Sequence, residues 1–137
     1  ELLLEGLPLL ASGELIPVTQ DHSRATYAPL LTKDDGLIDW SLPAVQIFNL
    51  VRGFSPWPGT WTTRAGNRLI VTRAEALEEE STALPGTVTS ARADGIRVAC
   101  GGGKLNILSV KPGGKREMSA DQFLTGYKVS TGEVLGN

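Results

Sequence analysis

The chain has 137 residues, 41% hydrophobic and 20% charged, the proportions of an ordinary globular domain able to bury a core without staples. A single cysteine, Cys100, excludes an intrachain disulfide. Together with a single histidine, His22, it also leaves no structural zinc set within the chain. No apolar stretch approaches the ~20 residues of a membrane span, so no membrane partner is expected. Glycine and proline supply 24 residues, above an average share of roughly 12%, which favours turns and short strands over a helical bundle.

In chain order, Leu3, Leu7 and Leu10 form a helical stripe over residues 1–13, with Gly13 as its stop. No cap precedes this helix, and Pro8 interrupts it. It reads as the tail of an element belonging to an upstream part. Residues 14–40 show no clean period and are broken by Pro17, Pro29, Asp34, Asp35 and Gly36, so they read as an acidic linker laid over a surface. A domain is then expected over 41–137. Its first element is a helix from Ser41 to Arg52, with Ser41 as cap, Pro43 in the first turn and Ala44, Ile47, Phe48 and Val51 on one buried face.

Beyond Gly59 the pattern changes to short strands. They are expected over 60–64, 68–74, 86–92, 96–100 and 104–110, with turns at Ala65-Gly66-Asn67, Ala93-Asp94-Gly95 and Gly101-Gly102-Gly103. Ile96, Val98 and Cys100 alternate onto one face. Five strands in so short a span predict a mainly β fold with short helices, built on an OB-like five-stranded barrel. A last helix is capped by the Ser119 and Gln122 box, with Met118 and Phe123 as a hydrophobic staple, and ends at Gly126. The tail to Asn137 reads as loose.

Reactive residues lack partners. Gly101-Gly102-Gly103-Lys104 fails as a phosphate loop, since Val98 stands where the first glycine belongs and Leu105 where Ser or Thr belongs; it reads as a hairpin turn. His22 stands beside Asp21 and Ser23, but neighbours in sequence rarely converge as a catalytic set. Cys100 reads as a buried, inert thiol, and Asp34, Asp35 and Asp39 as solvated acids. No catalytic residue, metal ligand or cofactor site is therefore assigned to this chain. Trp57 and Trp61 flank Pro58-Gly59-Thr60 and suit packing or stacking on a base.

The net charge of −2 conceals a split. Residues 1–40 hold two basic and seven acidic side chains, and residues 41–137 hold eleven basic and eight acidic. Arg52, Arg64, Arg68 and Arg73 follow one another with no acid between them, and Lys104, Lys111, Lys115, Arg116 and Lys128 form a second group. Such asymmetry points to a polyanion. The candidate nucleic-acid-binding residues are Arg64, Arg68, Arg73, Lys104, Lys111, Lys115, Arg116 and Lys128. Arg52, at a helix C-terminus, also suits a dipole partner.

Ile38-Asp-Trp-Ser41 and Val51-Arg-Gly-Phe-Ser-Pro-Trp-Pro-Gly59 resemble the formyltransferase C-terminal domain family. The run from Gln20 to Pro29, with Leu31-Thr-Lys33, is similar to the linker that leads into it. Gly114-Lys-Arg-Glu-Met-Ser-Ala-Asp-Gln-Phe-Leu124 and Gly132-Glu-Val-Leu-Gly136 resemble the branch that acts on initiator methionyl-tRNA. The proline-tryptophan-proline run is shared with sugar-nucleotide formyltransferases and formyltetrahydrofolate hydrolases. The resemblance implies a two-lobed parent in which a Rossmann-type N-terminal lobe binds 10-formyltetrahydrofolate and carries the catalysis. The family's Ser-Leu-Leu-Pro loop is not in this sequence. The implied chain is thus the last helix of that lobe (1–13), a linker (14–40) and a tRNA-docking domain (41–137), from a cytoplasmic or organellar enzyme. An accessory lobe of another formyltransferase, or a single-strand-binding module, are the alternatives.

Overall fold

The structure is a computed structural model that describes residues 2–136. It divides into two compact units, the first ending at Leu30 and the second starting at Leu31. In the first, α1 (Leu2–Ala11) runs through Pro8 with none of its residues buried. Gly13, at φ +77°, ends it as the sequence predicts. A 3-10 turn, His22–Arg24, follows.

The second unit starts ten residues before the expected boundary at 41. Residues 31–40 are not a linker laid over a surface. Gly36, Ile38 and Trp40 are buried, while Leu37 and Asp39 between them are exposed. Ile38 N–H donates to the Trp61 carbonyl at 2.8 Å, and the Trp40 indole N–H donates to Thr62 Oγ1 at 3.1 Å. The acids punctuate a segment whose alternate side chains belong to the core.

Helix α2 (Ala44–Gly53) buries Ala44, Ile47 and Val51, on the expected face. Its start differs from expectation. Pro43, not Ser41, is the N-cap, and no side chain caps the helix. Ser41 instead donates its N–H and Oγ–H to Asp39 Oδ1, at 2.9 and 2.6 Å. The unpaired Ala44 N–H is met by the Gly102 carbonyl at 2.8 Å. The glycine triplet is thus more than a hairpin turn, because the helix entry packs on its backbone. A Cβ at Gly101 would collide with the Ser41 carbonyl, so only glycine permits this contact.

The strands are β1 (Thr60–Arg64), β2 (Asn67–Leu77), β3 (Val88–Arg92), β4 (Gly95–Ala99), β5 (Lys104–Pro112) and β6 (Met118–Ser119). All pair antiparallel, in the order β1-β2-β5-β4-β3, with β6 added to β5. The mainly β architecture is the expected one; the short sixth strand is additional. Val88, Val98 and Leu105 stand opposite one another across three strands and are fully buried. Such cross-strand rows are where an antiparallel sheet gains its packing. Helix α3 (Ala120–Gly126) has the expected Ser119–Gln122 capping box and buries Ala120 and Phe123.

The tail is not loose. Gly132 N–H donates to Val88 O, Val88 N–H to Glu133 O and Leu135 N–H to Gly86 O, at 2.7–2.9 Å. Gly136 N–H then donates to Thr63 O at 2.9 Å. Residues 132–136 therefore bond both to the chain entering β3 and to β1, the two edge strands of the sheet. Leu135 is buried beneath them. Covering exposed strand edges in this way removes a liability of open sheets.

Candidate nucleic-acid interface

On β1, Trp61 and Thr63 alternate with the buried Thr60 and Thr62. Trp61 stands opposite Ile70 of β2, and Ile70 opposite Lys111 of β5. This gives one cross-strand row with an aromatic ring at one end and an exposed cation at the other. Arg68, opposite Thr63, lays its guanidinium 4.2 Å from the Trp61 ring centroid. The Trp61 indole N–H donates to the Lys33 carbonyl at 2.9 Å, which fixes the ring. The pair is a rigid cation–π platform. Trp57 is 56% exposed on the loop before β1.

The turn after β5 extends the same face. Gly113 N–H donates to the Arg68 carbonyl at 3.2 Å. The exposed Lys115 and Arg116 follow in that turn, and no carboxylate pairs with either, or with Lys111, among the described residues. Arg68, Lys111, Lys115 and Arg116 thus gather at one end of the β2–β5 ladder.

The other candidates lie elsewhere. Arg64 Nε is 2.7 Å from Glu133 Oε1, and its Nη2 donates to the Lys128 carbonyl at 2.6 Å. Its side chain is only 18% exposed, and the Phe123 ring lies below the guanidinium. Arg64 therefore clasps the tail. Lys104 is likewise engaged, with Nζ 3.1 Å from Glu79 Oε2 at the opposite end of β5. Arg73 is exposed where irregular pairing leaves Thr72 and Leu108 outside the β2–β5 ladder. It faces a groove shared with Arg52 and Phe48 of α2. Lys128 is exposed beyond α3 and offers its carbonyl, not its ammonium, to the clasp.

The reactive groups do not converge. His22 is exposed in the first unit, and Asp21 there accepts from the Ser23 N–H and Oγ–H, not from His22. Those two bonds hold the Asp21 carboxyl below its ordinary range. Asp39 is lowered in the same way by the Ser41 hydroxyl and N–H, and Asp35 by the Thr32 N–H and hydroxyl. Burial pushes the Cys100 thiol up to about 11, so it holds no appreciable thiolate at neutral pH. Among the described residues no three His, Cys, Asp or Glu side chains gather as a metal site, and no helix is long and apolar enough to cross a membrane.

The sequence reading missed Trp61 as the partner of Arg68. The alternation of Trp61 and Thr63 with Thr60 and Thr62 carries that signal, because it turns the ring to the face that Arg68 shares. It also missed Glu117, whose Oε1 accepts from the Thr72 hydroxyl at 2.8 Å beside the cationic turn.

These features define a class: a small antiparallel β-domain with two covering helices and a cationic, aromatic-bearing outer face. The chain belongs to the formyl transferase C-terminal domain family, whose profile matches residues 30–128. It is 45% identical over 99% of its length to methionyl-tRNA formyltransferase of Citrifermentans bemidjiense, and 46% identical over 96% to that of Myxococcus xanthus. It spans 42% of the length of each of these relatives. Among solved structures, HypX from Aquifex aeolicus has the same fold over 96% of this chain and 23% of its own, with a TM-score of 0.62 at 19% identity.

Proposed function

We propose that this chain is the tRNA-docking part of a methionyl-tRNA formyltransferase. In this reading a preceding Rossmann-type lobe holds 10-formyltetrahydrofolate and transfers its formyl group to the α-amine of initiator methionyl-tRNA in translation initiation. The observation that carries it is the near-complete, roughly 45% identity to proteins of that name. Formyl transfer needs a base for the amine and donors for the tetrahedral oxyanion. The described residues of this chain converge on neither. Its contribution is then positioning, which converts an encounter into an oriented complex. The OB-like barrel supplies the rigid frame, and the Arg68, Lys111, Lys115 and Arg116 face meets phosphates by shape, since an RNA helix hides its deep groove from side chains. The similarity to bacterial proteins of that name supports a cytoplasmic location.

The test is a titration of the chain with initiator tRNA, an unrelated RNA duplex and a single strand. Initiator tRNA should bind most tightly, with an affinity that falls as salt rises. Equal or absent binding of all three would favour an accessory lobe of another formyltransferase.

A further inference from the structure

Thr60 opens β1 with its side chain turned inward. It is 2% exposed, and its Oγ1 has no hydrogen-bond partner among the described residues. A buried hydroxyl left unpaired carries an uncompensated desolvation cost. Thr62, two residues along on the same face, accepts from the Trp40 indole. The strand itself therefore does not force a threonine hydroxyl to go unpaired.

Thr60 lines a cavity of about 350 Å³ between the end of α2, the loop of Pro56, Pro58 and Gly59, and the strands β2 and β5. Two charged side chains share that lining, Lys111 and Glu117. Lys111 has no carboxylate partner among the described residues. Glu117 uses Oε1 to accept from Thr72, and Oε2 remains to accept again. An ammonium attracts a phosphate. A carboxylate repels one, but it accepts well from a sugar hydroxyl. A hydroxyl at depth donates or accepts. An inorganic phosphate would leave Glu117 opposed, and a lone base would leave Lys111 unused. A ribose attached to a phosphate satisfies all three groups.

We propose that this cavity is a ribonucleotide subsite, in which Lys111 holds a backbone phosphate and the 2′-hydroxyl of the attached ribose donates to Glu117 and accepts from Thr60. This rests on the RNA-docking reading and adds to it a means of telling RNA from DNA, which the 2′-hydroxyl alone provides at a given site.

The experiment is a scan of initiator-tRNA stem hairpins, each with one 2′-deoxynucleotide, so that the helix form is kept. One position should cost about fivefold in affinity. That penalty should vanish in Thr60→Val and in Glu117→Gln, while the fully ribose hairpin binds each variant about fivefold more weakly than wild type. Lys111→Ala should weaken every hairpin and lower the salt slope by roughly one. Thr60→Val removes an unpaired hydroxyl, so its thermal midpoint should hold or rise; a clear fall would assign the hydroxyl to the fold and overturn its role. Glu117→Gln lies on the exposed rim and reads the subsite independently of folding. A flat scan, or a penalty that survives both variants, overturns the subsite and leaves the docking reading standing. Hairpins that do not bind in any form overturn both.

Discussion

Arg64, at the end of β1, and Lys111, Lys115 and Arg116, at the end of β5 and in the turn beyond it, carry like charges on one domain, yet the fold engages them differently. Arg64 has a carboxylate, a carbonyl and an aromatic ring around it and shows little of itself to solvent. The other three are exposed and have no carboxylate partner among the described residues. A cation already held by a carboxylate and a carbonyl, and largely shielded from solvent, has less to offer a phosphate. One without partners gains a contact and releases counterions when a phosphate arrives. Counting positive charge therefore overstates the cations free to serve the proposed interface, and the residue beside each one decides its availability.

Breaking the clasp should have the largest effect. Arg64→Ala leaves Glu133 partly buried without its partner and removes the link between β1 and the tail. Taking one member from a part-buried pair is costly because the remaining charge loses compensation. A loss of about 2 kcal/mol is expected, read from the urea midpoint at neutral pH. Binding of RNA by the folded fraction should keep its salt slope. A stable Arg64→Ala protein with a reduced slope would reverse the assignment and return Arg64 to the interface.

The complementary change is Lys111→Ala with Lys115→Ala and Arg116→Ala. These side chains support nothing in the described fold, so stability should stay within about 0.5 kcal/mol. Affinity for initiator tRNA should fall roughly tenfold, and the salt slope by about two to three, one phosphate contact per cation. An unchanged slope would remove this turn from the interface. Together the two experiments separate stability from binding on residues that composition treats alike.

What was legible in the sequence follows the range of the interactions. The helix α2 face, the alternation in β4 and the Ser119–Gln122 box are local patterns, and each stands where the pattern predicts. The burial of Gly36, Ile38 and Trp40 is also a period of two, but Asp34, Asp35 and Asp39 mask it by suggesting a solvated linker. The tail offers no pattern at all. Its bonds run to Val88, Gly86 and Thr63, and a strand added by distant partners needs no periodicity of its own to be held. The site divides in the same way. Sequence identifies the cations, but Glu133 lies 69 residues from Arg64 and Glu79 lies 25 from Lys104. Only the fold shows which cations have met a carboxylate.

Lys104 sharpens the comparison at its weak end. It is paired like Arg64, but through one contact at 3.1 Å to a Glu79 side chain that is 48% exposed. Glu79 also has Arg97 at 3.4 Å, and Arg97 has Asp94 at 3.4 Å. Lys104→Ala therefore leaves Glu79 with a second cation, whereas Arg64→Ala leaves Glu133 only the Ser130 N–H, at 3.3 Å. Solvent and salt screen a pair of this kind. The expected loss is about 0.5 kcal/mol at low salt, shrinking toward zero in roughly 0.5 M salt. The Arg64→Ala loss should persist under the same conditions, because its shielded pair is screened less. The RNA salt slope should not change in Lys104→Ala. If it drops by one unit, the ammonium leaves Glu79 for a phosphate when RNA binds, and pairing in the unbound protein is not what keeps a cation out of the interface.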